Sequence, residues 1–210
     1  MWPERRHCVK LLLHPLPVRI FHWSMFTAVI VLVATGLYLS APPAWLVLPL
    51  NLIRKLHGAF AALLVFTFAG QVYYYTYTGK WTEILLLPGD WVHLRSFFRY
   101  YLFITDGHPN YGRYNPGQKA LFTAWGLAVL AVSVTGPILL LPDDTIALQR
   151  LLGGLTFLRG LHFLIAAFFV ATIPFHLYLV FTEDPAKLQA IFTGYLRKDP
   201  KPPPPLEKSP

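Results

Sequence analysis

The chain has 210 residues, 55% of them hydrophobic and only 13% charged, with a formal net charge of +8. Soluble domains carry about 25% charged residues, so this composition excludes intrinsic disorder and disfavours an ordinary soluble domain; the mean hydropathy of +0.46 points to a membrane. The single cysteine, Cys8, excludes an internal disulfide framework, a cysteine-ligated zinc site, a four-cysteine iron–sulfur cluster and covalent haem attachment through C-x-x-C-H.

Residues 1–19 hold Arg5, Arg6, Lys10 and Arg19 and no apolar run long enough for a cleaved signal peptide, so the first hydrophobic span is itself the expected insertion signal. Four stretches then lack Asp, Glu, Lys and Arg: Ile20–Leu39, Leu56–Tyr77, Ala120–Leu141 and Gly160–Phe181. A helical crossing needs about 20 apolar residues, and in hydrocarbon each backbone group must be paired within its own segment. A chain of this size cannot bury four such helices on every side. The predicted fold is an all-α integral membrane bundle of four transmembrane helices. One domain covers residues 1–198, and a Pro-rich tail, expected to be extended or disordered, covers 199–210. Tyr38, Trp45, Tyr73, Tyr74, Tyr75, Tyr77 and Trp81 fall where aromatic belts lie. Pro42, Pro43, Pro49, Pro88, Pro142 and Pro185 punctuate the connections. No internal repeat with convincing residue identity is visible.

Lys and Arg are unevenly placed. Fourteen lie in residues 1–19, in the loop between the second and third spans, and in the C-terminal segment; four (Arg54, Lys55, Arg150 and Arg159) lie in the other two connections. The positive-inside rule puts both termini and the middle loop in the cytoplasm. The basic charge therefore serves topology and anionic lipid, with no nucleic-acid partner expected. Within the middle loop, Trp91–Phe103 is basic and amphipathic and is expected along the inner membrane surface. His93 there can pass protons to a reduced quinone, although a solvated surface histidine is the plainer reading.

Of eight histidines, His22, His57, His162 and His176 lie in the spans. An ionisable residue inside a membrane is costly and points to function. Their depths match: His22 and His176 belong to the cytoplasmic half, His57 and His162 to the outer half. His162 and His176 are fourteen residues apart, which returns to within about 40° of the same helix face and separates them by roughly 21 Å. Two haems, each held by two imidazoles (His22 with His176, His57 with His162), fit this layout. Ligation by two histidines leaves no open iron position and favours electron transfer over oxygen chemistry. A zinc site would need ligands converging at one level, and a proton relay would need carboxylates in the spans. Arg19, Arg54, Lys55 and Arg159 sit within a turn of a histidine and can pair with haem propionates, or equally anchor the membrane edge. Gly36, Gly58, Gly70, Gly126, Gly136 and Gly160 allow close approach of helices or of a porphyrin. Pro174 frees a carbonyl just before His176 and is expected to bend the fourth span.

Val18-Arg19-Ile20-Phe21-His22-Trp23 resembles the opening of the first span in b-type cytochrome subunits of membrane-bound nickel–iron hydrogenases. His176-Leu177-Tyr178, followed by Glu183-Asp184 and Gly194-Tyr195, is similar to the same family. Gly112-Arg113-Tyr114-Asn115-Pro116-Gly117-Gln118-Lys119 resembles a motif before the third span of formate dehydrogenase gamma subunits. Both belong to one superfamily of four-span di-haem cytochromes, and the resemblance covers about residues 18–197. It implies two haem b groups and a subunit in the inner membrane of a prokaryote, with no catalytic residue of its own. Such a subunit anchors a periplasm-facing oxidoreductase and relays electrons from its iron–sulfur subunit, through the outer haem and then the inner one, to menaquinone or ubiquinone. It also implies that Asn115, Gly117 and Gln118 lie near the quinone headgroup, with His176 adjacent. Pro116 departs from the small residue expected there. From the residues alone, Asn115-Pro116-Gly117 reads as the turn into the third helix.

Two other readings compete. A self-contained b-type cytochrome would exchange electrons between quinone and a small soluble partner docked on the outer loops, 40–53 and 142–158. A redox-silent anchor or transporter would bind no haem and would leave the four histidines unexplained.

Overall fold

The computed structural model describes residues 9–105, 113–183 and 185–198. The Pro-rich tail, Gly112 and Asp184 lie outside the described residues. In chain order the elements are β1 (Val9–Leu12), α1 (Leu16–Ser40), α2 (Leu50–Tyr77), α3 (Trp81–Ile84), a short 3-10 turn at Pro88–Asp90, α4 (Trp91–Tyr101), α5 (Pro116–Leu140), α6 (Ile146–Leu151), α7 (Leu155–Glu183), α8 (Pro185–Thr193) and β2 (Tyr195–Lys198).

Helices α1, α2, α5 and α7 are long and apolar enough to cross a membrane. Each begins about a turn or more before its uncharged stretch, taking in Arg19, Arg54 and Lys55, Lys119, or Arg159. Long cationic side chains reach from a helix end to water, so the absence of charge marks the hydrocarbon segment and not the whole helix. The two short connections shrink accordingly to residues 41–49 and 141–154, the second carrying α6.

Local sequence sets the boundaries. Pro15 precedes α1 and Pro17 lies in its first turn, where a missing N–H costs nothing. Gly153 and Gly154 precede α7 with φ of +95° and +90°, values that side chains resist. Pro137 and Pro174 sit inside α5 and α7, and both helices run through them. Helix α4 covers the amphipathic stretch but ends at Tyr101, two residues short of Phe103.

Helix α1 packs on α2 and α5 on α7, and contacts of α1 with α7 and of α2 with α5 close the bundle. The core between them is built from Ala28, Leu64, Ala128, Val129, Ile165 and Phe169, from all four long helices. Most of each apolar stretch faces outward, with no more than 22% of its residues buried, as a lipid-facing surface requires. Four crossings return the chain to the side where it began. Strands β1 and β2 pair there antiparallel, Leu12 opposite Tyr195 and Val9 opposite Lys198. This end of the bundle, which also holds α3, α4 and α8, is called the terminal end below, and the opposite one the far end.

Candidate paired-histidine sites

The four span histidines divide between the two ends as their depths predict. His57, in the first turns of α2, and His162, early in α7, meet at the far end with ring centroids 6.4 Å apart and planes inclined at 55°. Both rings are half-buried. Each Nδ1 has a partner on the neighbouring helix. Thr35 Oγ1 of α1 lies 2.9 Å from His57 Nδ1, and Thr135 Oγ1 of α5 lies 2.8 Å from His162 Nδ1. Close beside them, Gly36 and Gly136 back the Cε1 edges of the same rings.

The terminal-end histidines have a different setting. His22 lies edge-on to Trp23, centroids 5.1 Å apart. His176 lies 5.2 Å from Trp125 and 6.5 Å from Phe122. Trp125 is held in place by its Nε1–H, which donates to Thr172 Oγ1 at 2.8 Å. His22 and His176 share this end without direct ring contact. The Nδ1 atom of each is buried without a hydrogen-bond partner. Buried polar atoms are nearly always paired, so both rings sit in a site whose polar requirements the described residues do not meet alone.

The cations near the histidines divide too. Arg19 Nε–H donates to the Ile191 carbonyl at 3.3 Å, and its Nη2 donates to the Phe192 carbonyl. Trp23 Nε1–H reaches the Ile191 carbonyl as well. Arg19 therefore caps the C-terminal end of α8, satisfying carbonyls that have no partner within the helix. Arg54, Lys55 and Arg159 are exposed at the far end.

At the start of α5, Asn115 and Gln118 form a reciprocal capping box. Gln118 N–H donates to Asn115 Oδ1 at 2.8 Å, and Asn115 N–H donates to Gln118 Oε1 at 3.1 Å. Both residues are buried, so two orphan N–H groups of the helix start are satisfied without water. The Asn115 Nδ2 is left buried and unpaired. Gly117 lies under the Phe97 ring of α4. The turn into the third span is thus present, with a buried amide beside it that has no partner among the described residues. His93 is exposed on α4.

Two groups of residues escaped the sequence reading. One is the pair of threonines on His57 and His162. The other is a polar cluster at the terminal end, where Arg113 joins Glu83 at 2.7 Å and donates to the Leu13 carbonyl. It also approaches His14 Nδ1 at 3.5 Å and lies over the Tyr114 ring. His14 is buried, and that burial, reinforced by Arg113, lowers its pKa to about 4. The local signal for the cluster was Arg113, read as loop charge and as part of the Gly112–Lys119 motif but not as a partner of Glu83 or His14.

A family model described as prokaryotic cytochrome b561 matches residues 13–194. A probable Ni/Fe-hydrogenase B-type cytochrome subunit of Azotobacter vinelandii is 29% identical over 205 residues, covering 84% of this chain and 82% of that protein. One of Azotobacter chroococcum mcd 1 is 30% identical over 138 residues, covering 57% and 55%. One of Cupriavidus necator is 27% identical over 134 residues, covering 57% and 54%. The family match takes in all four long helices and both histidine levels, and on that breadth the chain belongs to the prokaryotic cytochrome b561 family.

Proposed function

We propose that this chain is a di-haem b-type cytochrome subunit of the inner membrane. In this reading it anchors a periplasm-facing, hydrogenase-type oxidoreductase and passes electrons from that complex's iron–sulfur subunit to quinone. The relatives' names favour the hydrogenase branch over the formate dehydrogenase branch that the loop motif suggested.

The observation that carries the reading is the His57–His162 pair. Two metal–nitrogen bonds of about 2 Å each, added to the reach of each ring from its nitrogen, account for a centroid gap of 6.4 Å. Two threonine hydroxyls take up the Nδ1 positions, leaving Nε2 of both rings for a metal. The donor set is two neutral imidazoles in an apolar bundle, which suits haem iron and one-electron exchange. Haem b held there supplies reversible one-electron chemistry. His22 and His176 are assigned to a second haem at the terminal end on their shared level in the bundle, His22 beside Trp23 and His176 beside Trp125. Arg54, Lys55 and Arg159 are available to far-end propionates, and Arg19 to a terminal-end one only if it shares its α8 contacts.

For quinone, the supporting feature is the buried amide of Asn115, unpaired among the described residues and able to donate to a carbonyl oxygen. Gln118 holds Asn115 in place, Gly117 leaves room for α4 to close over it, and His176 lies on the adjoining helix. The cytoplasmic assignment of this end rests on the distribution of Lys and Arg.

The test is haem per chain on detergent-purified protein, with a reduced-minus-oxidised spectrum. Two non-covalent haems with low-spin bis-histidine bands are expected. An absence of haem, with ample haem supplied during expression, overturns the reading.

A further inference from the structure

Helices α1 and α5 carry the same dipeptide, Thr35-Gly36 and Thr135-Gly136, and each dipeptide receives one far-end histidine. The glycine gives the ring room: a Cβ on Gly36 would stand 3.3 Å from Cε1 of His57, and one on Gly136 would stand 3.8 Å from Cε1 of His162. The threonine orients the ring, and its own helix fixes the direction of the bond. The Thr35 hydroxyl donates to the Val31 carbonyl at 2.6 Å, and the Thr135 hydroxyl donates to the Ala131 carbonyl at 3.0 Å. A hydroxyl has one proton to give. With that proton on the backbone carbonyl, each threonine oxygen meets the imidazole as an acceptor, and the imidazole donates its Nδ1–H. A neutral ring carries only one such proton, so Nε2 keeps the lone pair.

We propose that Thr35 and Thr135 are paired positioning residues for the far-end haem, holding His57 and His162 as Nδ1–H tautomers with Nε2 free for iron. The inference rests on the di-haem reading above. It goes further in making the two sites chemically unequal. A hydrogen bond from Nδ1–H raises the basicity of a ligating imidazole and fixes its orientation. The far end has two such bonds, whereas Nδ1 of His22 and of His176 has none. More basic ligands favour the oxidised iron, so the hydroxyls lower the far-end midpoint potential and strengthen haem retention there. Back-bonding to the preceding turn is what any helical threonine does. Two threonines at equivalent places, each with a ligand-type histidine as second partner and a glycine beside it, go beyond that habit.

The experiment uses the full chain in detergent, comparing wild type with Thr35→Val, Thr135→Val, the double valine variant, Thr35→Ser, Thr135→Ser and His57→Ala. Haem affinity is read by titrating the apoprotein with haem, and midpoint potentials by reductive titration. The double valine variant is expected to bind the far-end haem about 10–100-fold more weakly, with a more positive midpoint for what remains. The terminal-end haem should be unchanged, and both serine variants should behave as wild type. If the double variant does not accumulate, each single valine variant should show the same change to a smaller degree. Wild-type affinity and midpoint in the valine variants, in a protein where His57→Ala removes one haem, overturn the positioning role. A His57→Ala variant with undiminished haem content overturns instead the di-haem reading beneath it.

Discussion

The ring of Phe97 occupies the space that a side chain at residue 117 would need: its Cζ lies 2.3 Å from the position of a Cβ on Gly117, with Cε1 at 2.7 Å and Cε2 at 2.9 Å. Phe97 is 2% exposed and is the buried anchor of α4, whose other faces carry exposed Trp91, Val92 and Phe98. A surface helix is thereby packed on the first turn of a membrane span through a contact that only glycine permits, beside the Lys119–Asp90 ion pair at 2.9 Å.

Gly117→Ala should therefore displace Phe97 and loosen α4. Forcing a methyl group into packed space costs about 1–3 kcal/mol, visible as a lower Tm and as faster hydrogen exchange across residues 91–101. Adding Phe97→Ala should relieve most of that cost, because the two changes share one contact. Strictly additive losses in the double variant would show that the contact is not what holds α4.

His22→Ala or His176→Ala should each remove one haem and leave the other, and His57→Ala or His162→Ala should remove the second independently. Haem per chain and the split of the reduced-minus-oxidised band check this. Loss of both haems from a single replacement in a folded protein would contradict the pairing.

The two glycines beside the far-end ligands should respond unequally. At Gly136 an added methyl would make ordinary van der Waals contact, whereas at Gly36 it would press on the His57 ring at 3.3 Å. Gly136→Ala should keep wild-type haem content, and Gly36→Ala should lower retention of the far-end haem only. Equal behaviour of the two variants would mean that the ring of His57 shifts freely.

Helix capping and quinone chemistry can be separated at Gln118. Gln118→Glu keeps an oxygen for the Asn115 N–H and so keeps the capping box, but it places a negative charge beside the Asn115 amide. Quinone reduction should slow while haem content holds. Gln118→Ala should in addition lose roughly 1 kcal/mol of stability, as for a lost cap. Unaltered quinone kinetics in both variants would leave Gln118 a purely structural residue.

His14 makes stability depend on pH with a definite sign. Its pKa in the fold is about 4, against an ordinary value of 6.5, through burial first and then Arg113, His22, Lys187 and Arg19. A depressed pKa means that the unfolded chain takes the proton first. Stability is complete above about pH 6.5 and falls as pH drops toward 4, by about 3 kcal/mol in all. His14→Gln should flatten that part of the profile in thermal melts. A slope equal to wild type would place the titration elsewhere.

The spans and the histidine depths were legible because lipid enforces them: an unbroken apolar run has few other uses, and a histidine within one stands out. The start of α5 was legible in Asn115-Pro116-Gly117 as a turn into the third span; that Gln118 closes a capping box there was not. What the sequence hid was tertiary. Arg19 reads as a charge near His22, but its partners are carbonyls 172 and 173 residues away at the end of α8. Gly36 and Gly136 were recognisable as places of close approach. Their neighbours Thr35 and Thr135 were not recognisable as ring partners, because a hydroxyl in a helix ordinarily satisfies itself on its own backbone. The identity of the receiving ring depends on which helices pack together, and no local spacing encodes that. Arg113 and Glu83 likewise meet only once α3 is folded back on the start of α5.

The ribbon of β1 and β2 has a consequence for biosynthesis. Leu12 leaves the ribosome some 180 residues before its partner Tyr195. Contacts of such separation form late, so the ribbon and the Arg19 grip on α8 cannot close until all four spans have entered the bilayer. Until then β1 must wait with an unpaired edge, and its clasping onto β2 marks the moment at which the bundle is complete.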